Sequence, residues 1–238
     1  MTQGELLFDG KEKKIFATDD PEVILIHFKD IATAFGGIKQ AVIKDKGIYN
    51  NNISAMVFER LAKGGVPTHY VGLAGEREQL CRKVEPIPLQ MIVRNRLAGT
   101  TAALLGVKVG TTIPNVVFEL RYNCDALRDP MINDHHAVAL GIATYAELGE
   151  LYDIARKTDE ILTAYFHEAG IELIDFKMEF GRTPDGDIIL ADEISPDNSR
   201  LWDEETGRVL DKDRFRHDLS DVCVSYKEIM DRLKKISE

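Results

Sequence analysis

From Ile171 to Phe180 the chain reads IELIDFKMEF, and no other stretch restricts its fold more. A strand sends alternate side chains to opposite faces. Ile174, Phe176, Met178 and Phe180 then share one face, and Asp175, Lys177 and Glu179 share the other. Such a strand needs a core on one side and water or a ligand on the other. Pro184-Asp185-Gly186-Asp187 is a turn signal and Ile188 to Ile194 reads as a returning strand, so the segment is a β-hairpin. With Asp185-Gly186 as the turn, Glu179 lies opposite Asp192, while Glu193 faces away. Opposed residues have Cβ atoms about 4.5–5.5 Å apart, where like charges destabilise the pair. A divalent cation reverses that sign, and oxygen-only ligands suit Mg²⁺, which takes one or two carboxylates together with phosphate oxygens and waters. The alternative is a hairpin whose acids pair with Lys177 or Arg200. A three-residue turn would shift the register and separate the acids.

The first 90 or so residues read mostly as strands: Glu5 to Phe8, Lys13 to Ala17, Val23 to Phe28, His69 to Leu73 and Glu78 to Val84. One helix interrupts them, capped by Asn52, carrying Ile53, Met56, Val57 and Leu61 on one face, and stopped by Gly64-Gly65. Leu89 to Val93 is a further strand and Leu97 to Leu105 a short helix. Apolar residues at helical spacing predict long amphipathic helices over Tyr145 to Ala169, closed by Gly170, and over Asp213 to Leu233. Strands first, then mixed elements ending in helices, point to an α+β fold with a cleft between two lobes.

At 238 residues the chain can bury a substantial core. A formal net charge of -10 argues against general binding to a nucleic-acid backbone. No run approaches the roughly 20 apolar residues of a membrane span, and the N-terminus lacks an apolar signal region, so the expected location is cytoplasmic. Cys81, Cys124 and Cys223 are widely separated, without metal or redox spacing, and read as free structural thiols.

Other groups carry possible chemistry. In GKEKKIF, Lys11 and Lys13 share one face of a strand and suit phosphate as point charges; an exposed basic strand is the alternative. IPLQMIVRNRLAGT ends an apolar strand with Arg94 and Arg96 before Gly99-Thr100-Thr101, a set suited to a phosphate or carboxylate. RDPMINDHH contains adjacent His135 and His136, which rarely direct both rings at one ion and read as structural or surface groups. No nucleophile elbow, P-loop or CxxC occurs.

GKEKKIF, IPLQMIVRNRLAGT, DPMIND, LIDFKMEFG, LADEISPDNSRLWD and LDKDRFR occur in that order along essentially the whole chain, which closely resembles the SAICAR synthetases of purine biosynthesis. The resemblance implies an ATP-grasp-like, two-lobed α+β fold. Residues 1–87 would form a mainly antiparallel, nucleotide-binding lobe, and residues 88–238 a helix-containing lobe with the substrate and metal site. It also implies an ATP-dependent ligase requiring Mg²⁺. This joins the carboxylate of carboxyaminoimidazole ribonucleotide to the amine of L-aspartate through an acyl phosphate, and the enzyme is expected to be a homodimer.

Carried over by motif, Lys11 and Lys13 contact phosphate, and Lys83, Val84 and Pro86 belong to the interlobe segment beside adenine. Glu179 and Asp192 hold the metal. Arg94, Thr100 and Arg200 hold the ribonucleotide, while Lys177, Asp175 and Asp197 line the reacting centre. Lys212 and Arg216 face the second substrate's carboxylates. Three stretches depart from the family pattern. Gln90 stands where glutamate is common, ATAFGG around Phe35-Gly36 replaces SAGDG, and Asn123-Cys124 replaces Lys-Asn. A small-molecule kinase and a non-catalytic nucleotide-binding module are the competing readings of the same Mg²⁺ and lysine set.

Overall fold

The computed structural model describes residues 1–237. The N-terminal strands β1 (Gln3–Asp9), β2 (Lys13–Thr18) and β3 (Val23–Phe28) pair antiparallel. A separate hairpin, β4 (Ile31–Ala34) with β5 (Lys39–Val42), has no counterpart in the sequence reading. The helix α1 (Lys46–Lys63) follows. It starts six residues before Asn52, after Asp45, so Asn52 does not cap it and instead donates Nδ2–H to the Ile48 carbonyl one turn back, at 2.8 Å. Its end is the expected one: Gly65 is left-handed, and Val66 N–H and Gly65 N–H return to the Leu61 and Ala62 carbonyls. β6 (Tyr70–Leu73) and β7 (Glu78–Arg82) complete a five-stranded sheet of order β1-β2-β3-β7-β6.

Lys83 and Val84 carry the chain into β8 (Glu85–Leu97), the first strand of a second sheet. After α2 (Gly99–Leu104) comes β9 (Thr111–Tyr122), a twelve-residue strand invisible to the pattern reading. Pro114 breaks its run, and the structure tolerates it in the irregular stretch between Thr112 and Val117, where pairing to β8 shifts. β10 (Met131–Ile132), α3 (Asp134–Ala139) and α4 (Tyr145–Glu168) lead to β11 (Ile171–Arg182), β12 (Ile188–Ala191) and β13 (Ser199–Asp203). The sheet order is β10-β9-β8-β11-β12, with β13 also paired to β11.

The expected C-terminal helix is two helices, α5 (Asp213–Arg216) and α6 (Val222–Ser237). Asp218 and Asp221 between them have φ of 57° and 64°, and Arg214 holds the turn by donating to the Ser220 carbonyl. Leu219, assigned to the buried stripe, is 45% exposed in that turn. Elsewhere the α+β reading holds. The apolar face of β11, with Phe176, Met178 and Phe180, packs into one core with Leu151, Leu162 and Tyr165 of α4, Phe58 and Leu61 of α1, and Ile229 and Leu233 of α6. Among the described residues no helix is long and apolar enough to cross a membrane.

Candidate active site

The charged face of β11 opens toward the inner face of the N-terminal sheet, and the first cluster forms there. The hairpin register differs from the expected one. Glu179 lies opposite Ala191, and Asp192 is beyond the end of β12. The cause is the loop: Thr183 and Asp187 close five residues through an N–H···O bond of 2.9 Å, where a two-residue turn was expected. By alternation alone Asp192 would then point away. It does not, because its φ of 63° turns the chain.

Asp192 pairs with the Lys13 ammonium, and its second oxygen is 3.6 Å from Lys177 Nζ, which also pairs with Glu179. Lys177 therefore joins the two acids. Glu193 does not face away either: its Oε1 is 3.1 Å from Lys13 Nζ. Burial would lower the Lys13 and Lys177 pKa values, but the surrounding carboxylates outweigh it and hold both above the usual range. Burial raises Asp192, and the two lysines more than reverse this. Glu193 is pushed up, by burial first and by Asp192 and Asp197 next.

Among the described residues no group of three or more His, Cys, Asp or Glu is disposed to enclose a metal ion. Two hard-oxygen carboxylates and the buried, unpartnered Glu193 Oε2 fit a cation that takes its remaining ligands from phosphate and water. Lys11 departs from Lys13: it precedes β2, and its ammonium reaches Asp125 at 2.7 Å.

A second network crosses five elements as alternating charge. Glu119 on β9 pairs with buried Arg94 on β8. Arg94 reaches Asp175 on β11 at 2.5 Å, Arg200 on β13 reaches both oxygens of Asp175 at 2.9 and 3.1 Å, and Asp213 binds Arg200 and Arg216. Gly99, with φ of 57°, lies so close that an added Cβ would collide with the Arg200 guanidinium. Thr100 follows it, exposed on the first turn of α2, while Thr101 is buried and donates to Glu119 at 2.6 Å.

Asp197 anchors a third network. It pairs with Lys46, accepts from the Tyr226 hydroxyl at 2.7 Å and lies 3.9 Å from Lys212, which reaches Glu12 at 2.5 Å. Asp197 and Lys46 are both almost fully buried. Sequence reasoning missed Glu12, Lys46, Glu119, Asp213 and Tyr226, all partners of residues it did name. The available signal was arithmetic: buried arginines and lysines require carboxylates, and the named acids were too few.

At the interlobe segment, Lys83 N–H donates to the Glu22 carbonyl at 2.7 Å, Pro86 pairs with Gly181, and Val84 packs where a Cβ on Gly181 would collide. Two of the departing stretches meet: Gln90 Nε2–H donates to Asn123 Oδ1 at 2.9 Å. The third forms the tip of the β4–β5 hairpin, where Phe35 is 59% exposed. His135 and His136 are structural as expected, hydrogen-bonded to Tyr145 and in the Asn133 capping box. A cavity of about 530 Å³ lies on the opposite face of the N-terminal sheet, but its Lys29 and Arg77 are already paired with Asp9 and Asp30.

Comparison with known proteins bears on this arrangement. The SAICAR synthetase family model matches residues 6–233. A phosphoribosylaminoimidazole-succinocarboxamide synthase of Clostridium botulinum (strain Okra / Type B1) is 52% identical over 235 residues, covering 99% of this chain and 100% of its own. The crystal structure of the synthase of that name from Ehrlichia chaffeensis superposes with a TM-score of 0.95 at 40% identity, covering 97% of this chain and 98% of its own. A SAICAR synthetase in complex with ADP gives a TM-score of 0.93 at 44% identity, covering 96% and 97%. With the family model spanning residues 6–233 and these relatives matching nearly its whole length, the chain belongs to the SAICAR synthetase family.

Proposed function

We propose a division of labour among the three networks. The chain is an ATP-dependent ligase of the SAICAR synthetase family, whose reaction forms SAICAR in purine biosynthesis. A carboxylate is a poor electrophile, so the imidazole carboxylate attacks the γ-phosphorus of ATP, releasing ADP and giving an acyl phosphate. The amine of L-aspartate then displaces phosphate, the new C–N bond forming as the C–O bond breaks and the amine proton leaves.

Residues 1–87 act as the nucleotide lobe and residues 88–238 as the substrate lobe. Lys13 and Lys177 neutralise phosphate oxygens, and Lys11 guards the rim. The backbone of Lys83, Val84 and Pro86 borders the adenine. Glu179 and Asp192 hold Mg²⁺, which supplies charge neutralisation at the phosphates when bound. Arg94, Arg200 and Thr100 hold the ribonucleotide. Asp175 has its oxygens engaged by two guanidiniums, so it orients Arg94 and Arg200. Asp197, through Lys46 and Tyr226, fixes the loop beside Lys212, which with Arg216 faces the carboxylates of L-aspartate. The enzyme works in the cytoplasm as a homodimer.

The carrying observation is the Glu179–Lys177–Asp192–Lys13 cluster between the two sheets, where acids and ammonium groups alternate ready to exchange partners for phosphate and a cation. The test is a coupled assay of ADP release. Release that depends on both the carboxylated ribonucleotide and L-aspartate supports the ligase. Release without aspartate, with a stable phosphorylated product, supports a kinase. ATP binding without turnover supports a non-catalytic module.

A further inference from the structure

We propose that His69 is a positioning residue for Asp192: its ring Nε2–H holds the Asp192 carbonyl and keeps that residue in the left-handed conformation that turns its carboxylate into the cleft. This rests on the reading of Asp192 as a magnesium ligand.

Asp192 has φ of 63°, a region that costs a non-glycine residue of order 1 kcal/mol and persists where surrounding contacts enforce it. The enforcing contact is a ring-to-backbone bond of 3.0 Å from His69 Nε2 to the Asp192 carbonyl oxygen. A carbonyl only accepts, so Nε2 carries the proton. The ring is 2% exposed and meets the Phe58 ring edge-on at 5.4 Å.

The backbone of His69 is fixed from both sides. Its N–H donates to the Leu190 carbonyl at 2.9 Å, Leu190 N–H donates to the Pro67 carbonyl at 3.0 Å, and Arg82 N–H donates to the His69 carbonyl at 2.7 Å. Leu190 belongs to β12 and Arg82 to β7, so one residue is hydrogen-bonded to both sheets while its ring sets the acid between them. Displacing the ring frees Asp192 to relax to ordinary strand geometry, which carries its carboxylate out of reach of Lys177.

The experiment is calorimetry of ADP binding over a range of Mg²⁺ concentrations. His69→Leu removes the donor, and His69→Gln replaces it with an amide N–H. Loss of an outer contact to a metal ligand weakens metal affinity by about tenfold or more. The Leu variant is expected to lose about that factor of the Mg²⁺-dependent tightening while binding ADP without Mg²⁺ like the parent; the Gln variant keeps the tightening. A folded Leu variant with the parental Mg²⁺ dependence, beside an Asp192→Asn variant that has lost it, overturns the role of His69 alone. An Asp192→Asn variant that keeps the full tightening overturns the metal reading and this role with it. Should the Leu variant not fold, ¹⁵N spectra of the imidazole in the parent decide. An Nε2–H tautomer supports the proposal, and an Nδ1–H tautomer, which leaves Nε2 without a proton to donate, overturns it.

Discussion

Asp192 shows how much of the chemistry rests on single side chains. Replacing it by Asn keeps the volume but removes the charge that balances Lys13 and Lys177. We expect turnover to fall by a hundredfold or more, on the scale of losing a preorganised charge at a reacting centre. The melting temperature should move by only a few degrees; near-parental turnover in the coupled assay would refute the assignment. Gly99→Ala places a methyl against the Arg200 guanidinium at a backbone angle that favours glycine. The expected cost is about 1–2 kcal/mol by denaturant titration, with a raised KM for the ribonucleotide and little change in KM for ATP. Lys46→Met strands Asp197 in the interior, where breaking a buried pair costs about 3–5 kcal/mol. Motif and alternation brought Glu179, Lys177 and Asp192 to light. They could not reveal that Glu193 also reaches Lys13, because a left-handed residue interrupts the period on which the reading depends.

At the scale of elements, strong periodicity and caps were legible and irregularity was not. α4 was found almost to the residue from its apolar periodicity and Gly170, and the structure adds the Thr144–Glu147 capping box that fixes its start. β9 was lost because one proline outweighed NVVFEL, and the α5–α6 break was lost because its aspartates take positive φ without a glycine to announce it. Glu147 provides a check on α4. Arg182 at 2.7 Å and the Thr144 cap hold its pKa down at about 2. A carboxylate depressed in the folded state stabilises above its unfolded pKa and loses that contribution as pH falls toward the folded value. Glu147→Gln should therefore cost about 1–2 kcal/mol at pH 7. The difference from the parent should shrink between pH 4.5 and 2 in urea melts.

At the scale of the molecule, an α+β fold with antiparallel sheets followed from the order of strands and helices, but the ties between its N-terminal and C-terminal parts did not. Lys212 to Glu12 at 2.5 Å and Lys46 to Asp197 join segments far apart in sequence, and no local pattern encodes such a partnership. Gln90 and Asn123 are a quieter tie, between β8 and the residue that follows the adjacent β9. Two amides satisfy each other without any charge, so this contact should be indifferent to salt and pH. Its consequence is a constraint on change. Gln90→Glu alone, or Asn123→Lys alone, leaves an uncompensated charge beside a half-buried amide, whereas the double exchange supplies its own counterion. A double-mutant cycle should give a favourable coupling of about 1–2 kcal/mol. The two positions thus behave as a single heritable unit: each sets which residues the other can hold, and a lineage moving between the neutral and charged versions must cross a less stable intermediate.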